Sequence, residues 1–158
     1  ECLRKCRNID NAYFLIVGSG TEYRRIEKFI NKEKPENVML MKRLPKNDYD
    51  KMIGSCDIGL IFLDHRFTIP NFPSRLLSYM AAKLPVLAST DPNTDIGKVI
   101  VNGGFGWWCE SDSVEGFEKI ADVALETDTN ALGANGYRYL KNKYTVEVAY
   151  NMIMKRLT

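Results

Sequence analysis

The residues best suited to chemistry lie in one run, Pro73-Ser74-Arg75-Leu76-Leu77-Ser78, where a loop gives way to an amphipathic stretch. A helix opening at Ser74 leaves the N–H groups of Arg75, Leu76 and Leu77 without intrahelical partners, and Ser74 is placed to cap it. Such N–H groups, at the positive end of the helix dipole, attract an anion. Arg75 adds a fixed charge on a planar donor fork. The chemistry indicated is the binding of a phosphate or diphosphate. A loop–helix corner with a good cap and a surface arginine accounts for the same residues without any ligand.

Gly18-Ser19-Gly20 makes a second candidate, since small residues between a strand and a helix let a ligand approach the backbone. The third glycine of the dinucleotide fingerprint is absent, because position 23 is Tyr23, and no Walker-type phosphate loop occurs. A tight turn explains the pair equally well. His65 is the sole histidine, and Asp64 and Asp95 form no convincing acid–base pair, so no catalytic residue is assigned. Asp95 fits the first turn of a helix. Cys2 and Cys6 share a helical face, but no second pair accompanies them and no metal is expected. Strand alternation sends Trp107 and Trp108 to opposite faces, one expected in the core and one towards a surface or neighbouring domain.

These residues need a scaffold, and the hydrophobic pattern supplies one. Tyr13 to Val17 is a continuous apolar run, as in a strand buried on both faces. Further strands are expected at Val38 to Met41, Ile58 to Leu63, Pro85 to Ala88 and Phe105 to Cys109. Helical spacing runs from Thr21, a plausible cap, to about Lys32, and from Asp48, after Asn47, to about Ser55. It returns from Ser74 to about Lys83, Val114 to Glu126, Asn130 to Lys143 and Val146 to Leu157. Strands alternating with helices predict an α/β fold, a Rossmann-like parallel sheet with helices on both faces, in a single domain covering 1–158. Ligands of such sheets bind beyond the carboxyl ends of the strands, where the Asp64 to Pro73 loop lies.

A net charge of +2, with basic residues scattered along helices, argues against a nucleic-acid partner. No uncharged apolar run approaches the ~20 residues of a membrane span, and reduced cytosolic thiols are the default for the four cysteines. The chain is expected to begin inside a helix, with polypeptide preceding Glu1.

Pro73-Ser74-Arg75-Leu76-Leu77-Ser78-Tyr79-Met80-Ala81-Ala82, followed by Leu84-Pro85-Val86-Leu87-Ala88, resembles the hallmark of family 4 of the retaining glycosyltransferases. Phe14 to Gly20 and Cys56-Asp57-Ile58-Gly59-Leu60-Ile61 resemble that family's strand–glycine turn and the segment entering the strand before the motif. The likeness covers about Tyr13 to Val123. It implies the C-terminal half of the GT-B architecture, with a UDP-linked sugar held between two Rossmann-like domains. The diphosphate would meet Ser74, Arg75 and Leu76, with the base at Arg43 and Leu44 and the donor sugar facing the loop from Ile69 to Phe72, at Pro70, Asn71 and Phe72. Gly18 and Gly20 would line the same cleft.

Many members carry two glutamates eight positions apart, but Pro70 and Ser78 stand there, leaving either a weaker ribose contact at Ser78 or ribose recognition from elsewhere. Phe67 to Arg75 and Thr94 to Lys98 are similar to capsule and O-antigen enzymes that transfer amino sugars of the fucosamine type. The expected activity is therefore that of a hexosyltransferase without a cofactor, cytoplasmic, acting on a lipid-linked saccharide at the inner membrane face. Membrane contact would come mainly from the acceptor-binding N-terminal domain. That domain, the basic diphosphate clamp and the central first strand of this sheet are all expected before Glu1, leaving residues 1–158 inactive alone. Without that strand, those at Tyr13 and Ile58 either pair directly or leave an open edge. Two alternatives are a sugar-nucleotide epimerase, expected to place carboxylates and histidines in the cleft, and a non-catalytic, receiver-like α/β binding domain.

Overall fold

The computed structural model describes residues 6, 9, 11–67, 69 and 71–157. Among them strands and helices alternate: β1 (Phe14–Val17), α1 (Tyr23–Glu33), β2 (Val38–Met41), α2 (Lys46–Ile53), β3 (Gly59–Phe62) and α3 (Ser74–Ala81). There follow β4 (Val86–Thr90), α4 (Ile96–Asn102), β5 (Gly106–Glu110), α5 (Val114–Glu126), α6 (Thr129–Lys143) and α7 (Val146–Leu157). Every strand pair is parallel, β1 with β2 and β3 with β4 with β5. The expected α/β class, a Rossmann-like parallel sheet with helices on both faces, holds.

β4 is the centre of the fold, and all five of its residues are buried. Alternation sends Val86 and Ala88 to one face, where they pack with Leu76 and Met80 of α3, Ile96 and Ile100 of α4, and Phe105. Leu87 faces the other way, against Phe117, Ala121 and Ala124 of α5 and against Cys6 and Ile9. The Asn37 side chain holds this early segment by donating to the carbonyls of Cys6 at 2.9 Å and Ala12 at 3.2 Å. Trp107 and Trp108 do point to opposite faces, each half-buried against one of these two clusters.

The sheet is in two pieces, and of the two outcomes expected for β1 and β3 the open edge is the one observed among the described residues. β1 is correspondingly shallower than its apolar run predicts. None of its residues is buried, because only one edge is paired and α1 over it buries no residue. Two expected caps also fall elsewhere. α1 opens after Glu22 rather than Thr21, and α2 opens after Pro45, placing Asn47 inside the first turn; neither has a side-chain cap bond. A proline fixes φ near the helical value and so starts α2 before the polar residue is reached.

Candidate functional site

The same effect shapes the main candidate. Pro73, with φ −59° and ψ 122°, occupies the N-cap position of α3, which has no side-chain cap bond, so Ser74 is already helical and caps nothing. The Leu76 N–H is also spent, donating to the Pro73 carbonyl at 2.9 Å. What remains at the open end are the N–H groups of Ser74 and Arg75, which find no acceptor among the described residues. Both side chains are exposed, and the Arg75 guanidinium has no ion-pair partner among the described residues. Ser78 lies one turn on, half-buried on the same helical face as Ser74. Leu76 contributes instead as an anchor, fully buried in the cluster that also takes Ile96 from the first turn of α4.

The approach to α3 is a long loop from β3. Asp64 closes its beginning, accepting from the Arg66 backbone N–H at 2.9 Å and from Nε and Nη2 at 2.9 and 2.6 Å. That bidentate grip holds the Asp64 carboxyl well below the usual carboxylate range. His65 is exposed, with Nδ1 3.8 Å from Asp64. Pro70 lies outside the described residues, as does Cys2. Asn71 is exposed. Phe72, expected to face a donor sugar, packs its ring on Tyr144 with centroids 5.1 Å apart.

At the other strand ends, Gly18 and Gly20 have no positive φ, and a Cβ on either would meet nothing within 4 Å. A strained turn therefore does not explain them, while open space above the backbone does admit a ligand. Arg43 is exposed and Leu44 half-buried in the connection from β2 to α2. Beyond β4, Asp91 is fully buried and accepts from the N–H groups of Asn93 and Thr94, both at 2.9 Å, and from Thr94 Oγ1 at 3.2 Å. Beside it Thr90 Oγ1 accepts from the Trp108 indole at 2.8 Å. This polar corner fixes the entry to α4, whose N-cap position is Asp95. The strand pattern gave no hint of it, although Asp91-Pro92-Asn93-Thr94 is a turn-prone string.

The contact that Tyr79 makes was likewise not visible in the sequence. Gly59 and Leu63 donate to the Pro85 and Ser89 carbonyls of the β4 strand line, so Leu60 presents its polar groups to the open edge of β3. There the Tyr79 hydroxyl donates to the Leu60 carbonyl at 3.2 Å. Its ring lies where a Cβ on Gly59 would be, 2.6 Å from Cγ and 2.9 Å from Cε2, so residue 59 is glycine for packing reasons. Burial, with Tyr49 nearby, pushes this phenol far above its ordinary range.

Known proteins share this fold. A probable glycosyltransferase of Pseudomonas aeruginosa, WbjE, is 24% identical over 136 residues, 86% of this chain but 34% of that protein. Anabaena Alr3699/HepE, solved with UDP, superposes with a TM-score of 0.74 over 99% of this chain and 43% of its own, at 17% identity. Sucrose-phosphate synthase from Thermosynechococcus elongatus gives 0.76 over 98% of this chain and 41% of its own, also at 17% identity. The chain thus spans about a third to two-fifths of the length of these proteins, and at such identities the two structures speak for the fold. Residues 2–139 match the profile described as Glycosyl transferases group 1, and the chain belongs to that family.

Proposed function

We propose that this chain is the donor-nucleotide half of a retaining glycosyltransferase of the GT-B type. The observation that carries the proposal is the uncapped start of α3, with the Ser74 and Arg75 N–H groups and a solvent-facing Arg75 guanidinium at the carboxyl edge of the sheet. In glycosyl transfer, negative charge grows on the departing diphosphate as the anomeric bond breaks. Preorganised N–H dipoles and an arginine fork stabilise that charge more than they stabilise the ground state. The base would rest at Arg43 and Leu44, the ribose near Ser78, and Gly18, Gly20 and the loop through Pro70, Asn71 and Phe72 would border the donor.

A uridine nucleotide is favoured because the neighbour HepE was solved with UDP and with UDP-glucose. The capsule or O-antigen amino-sugar assignment, with a lipid-linked acceptor bound by another domain and met at a membrane face, rests on the sequence likeness at Phe67 to Arg75. No helix among the described residues is long and apolar enough to cross a membrane.

Calorimetric titration with UDP, GDP and a UDP-linked N-acetyl sugar, beside an Arg75→Ala variant, tests the proposal. Loss of a charge-assisted contact to phosphate predicts a roughly 10- to 100-fold weaker affinity for UDP in the variant. UDP binding that the substitution leaves unchanged, or equal binding of UDP and GDP, would overturn the assignment.

A further inference from the structure

The loop entering α3 is anchored from an unexpected direction. Past the Phe67 N–H, which donates to the Asp64 carbonyl at 2.9 Å, Ile69, Asn71 and Phe72 make no hydrogen bond among the described residues, and Ile69 is 67% exposed. Its last residue before Pro73 is nevertheless fixed. Phe72 packs on Tyr144 at 5.1 Å, Tyr144 on Tyr139 at 5.9 Å, and Tyr139 on Phe105 at 5.4 Å. Phe105 is fully buried in the core beside Met80 and Leu76. All three ring pairs are tilted, a favourable geometry for aromatic contact. A line of four rings therefore runs from the core out to the residue that precedes Pro73.

Tyr144 is the member that converts this line into a constraint on the loop. It closes α6, its N–H donating to the Leu140 carbonyl at 2.9 Å, so its backbone is held by the helix rather than by the loop. The residues at stake follow at once, because Arg75 is three positions beyond Phe72 and the α3 start lies between them. We infer that Tyr144 is a positioning residue that acts through Phe72, holding the chain into α3 so that Arg75 and the open N–H groups stand ready for a nucleotide diphosphate. This rests on the donor-half proposal for the ligand, while the mechanical part stands on the rings alone.

Three variants of the chain, Tyr144→Ala, Tyr144→Phe and Phe72→Ala, are compared by amide hydrogen exchange across 64–76 and by UDP titration. The alanine variants should speed exchange over 69–75 and weaken UDP binding, each roughly 2- to 10-fold, with exchange in β4 unchanged. Tyr144→Phe keeps the ring and should restore both values, which a general loss of stability would not do. Because Phe72 lies at the surface end of the line, its truncation leaves the core intact even if Tyr144→Ala unfolds. Loop exchange and UDP affinity unchanged in Phe72→Ala, with UDP bound normally by the parent, would overturn the role of Tyr144 and leave the donor proposal standing. A parent chain that binds no UDP, with loop exchange still responding to both truncations, would overturn the diphosphate as ligand and retain the ring line as the loop's anchor.

Discussion

Two glycines one turn apart on α6, Gly133 and Gly136, are predicted to respond differently to alanine, one losing stability and the other near neutral. Both are buried, and α6 lies against α3 and the β4 entry through them. A Cβ on Gly133 would fall on the Lys83 carbonyl oxygen and stand 2.9 Å from its carbon. Since ordinary carbon contacts begin near 3.5 Å, α6 would have to retreat by at least ~0.6 Å. The carbonyl cannot yield easily. Lys83 is left-handed at φ 57°, its N–H donates to Met80 at 3.1 Å, and Leu84 N–H donates to Tyr79 at 2.9 Å, which is the Schellman closure of α3. Overpacking against a fixed backbone costs about 3 kcal/mol, and the better helix propensity of alanine returns about 1 kcal/mol. Gly133→Ala should therefore lose about 2 kcal/mol, or roughly 4–8 °C in Tm for a chain of this size. On Gly136 the new methyl would meet Phe105 Cβ at 3.3 Å and the mobile Met80 Cγ at 3.5 Å, so the propensity gain roughly cancels the crowding. Urea titration followed by circular dichroism reads both. A Gly133→Ala protein as stable as the parent would refute the seating of α6 on Lys83.

Two further outcomes follow from the buried polar contacts. The raised phenol of Tyr79 leaves its stabilising contribution whole below pH ~10, the ordinary tyrosine value, where folded and unfolded chains are both neutral. As pH rises past that value the unfolded chain ionises first, so stability should fall by up to about 1.4 kcal/mol per pH unit from this group. Tyr79→Phe should be about 1 kcal/mol less stable at neutral pH, having lost the bond to Leu60, yet decline less steeply in alkali. An unchanged slope in alkaline urea melts counts against a buried, neutral Tyr79. Trp108→Phe removes the 2.8 Å donor to Thr90 and should cost about 2 kcal/mol. Combined with Thr90→Val the losses should be less than additive, and strict additivity in the double-mutant cycle would deny the contact.

The fold was legible where a residue's role depends on near neighbours in sequence. Strand positions follow from short apolar runs bounded by turn residues, and β2 and α5 coincide with their expected spans. Helix starts were less legible for a local reason. Ser74 and Asn47 look like caps by residue type, but Pro73 and Pro45 set the backbone earlier and draw the polar residue inside the helix. The family's string from Pro73 to Ala82 was readable as a string, whereas the contacts around it were not. Tyr79 reaches Leu60 across 19 positions, Trp108 reaches Thr90 across 18, and Phe72 meets a ring 72 positions away. No periodicity encodes those meetings, which arise only when parallel strands and their helices stack.

The two ends of α3 are built to opposite standards, and that asymmetry ties the chemistry to the fold. Its C-terminal carbonyls are closed by the Lys83–Leu84 turn, and the same turn is the surface on which α6 sits through Gly133. Its buried residues, Leu76 and Met80, are fully enclosed between β4 and α4. The N-terminus is left with N–H groups that find no acceptor among the described residues, because Pro73 takes the cap position and offers no side-chain acceptor. A capping hydroxyl there would satisfy those donors and stabilise the helix by about 1 kcal/mol, but under the donor-half proposal it would also compete with a phosphate oxygen for them. Stability is thus concentrated at the closed end and in the core, where no ligand needs access. The open end is held in place by side chains reaching in from α6, so its donors stay oriented without being occupied. Preorganised but unsatisfied dipoles are what a site needs if it is to stabilise charge that appears only as a bond breaks.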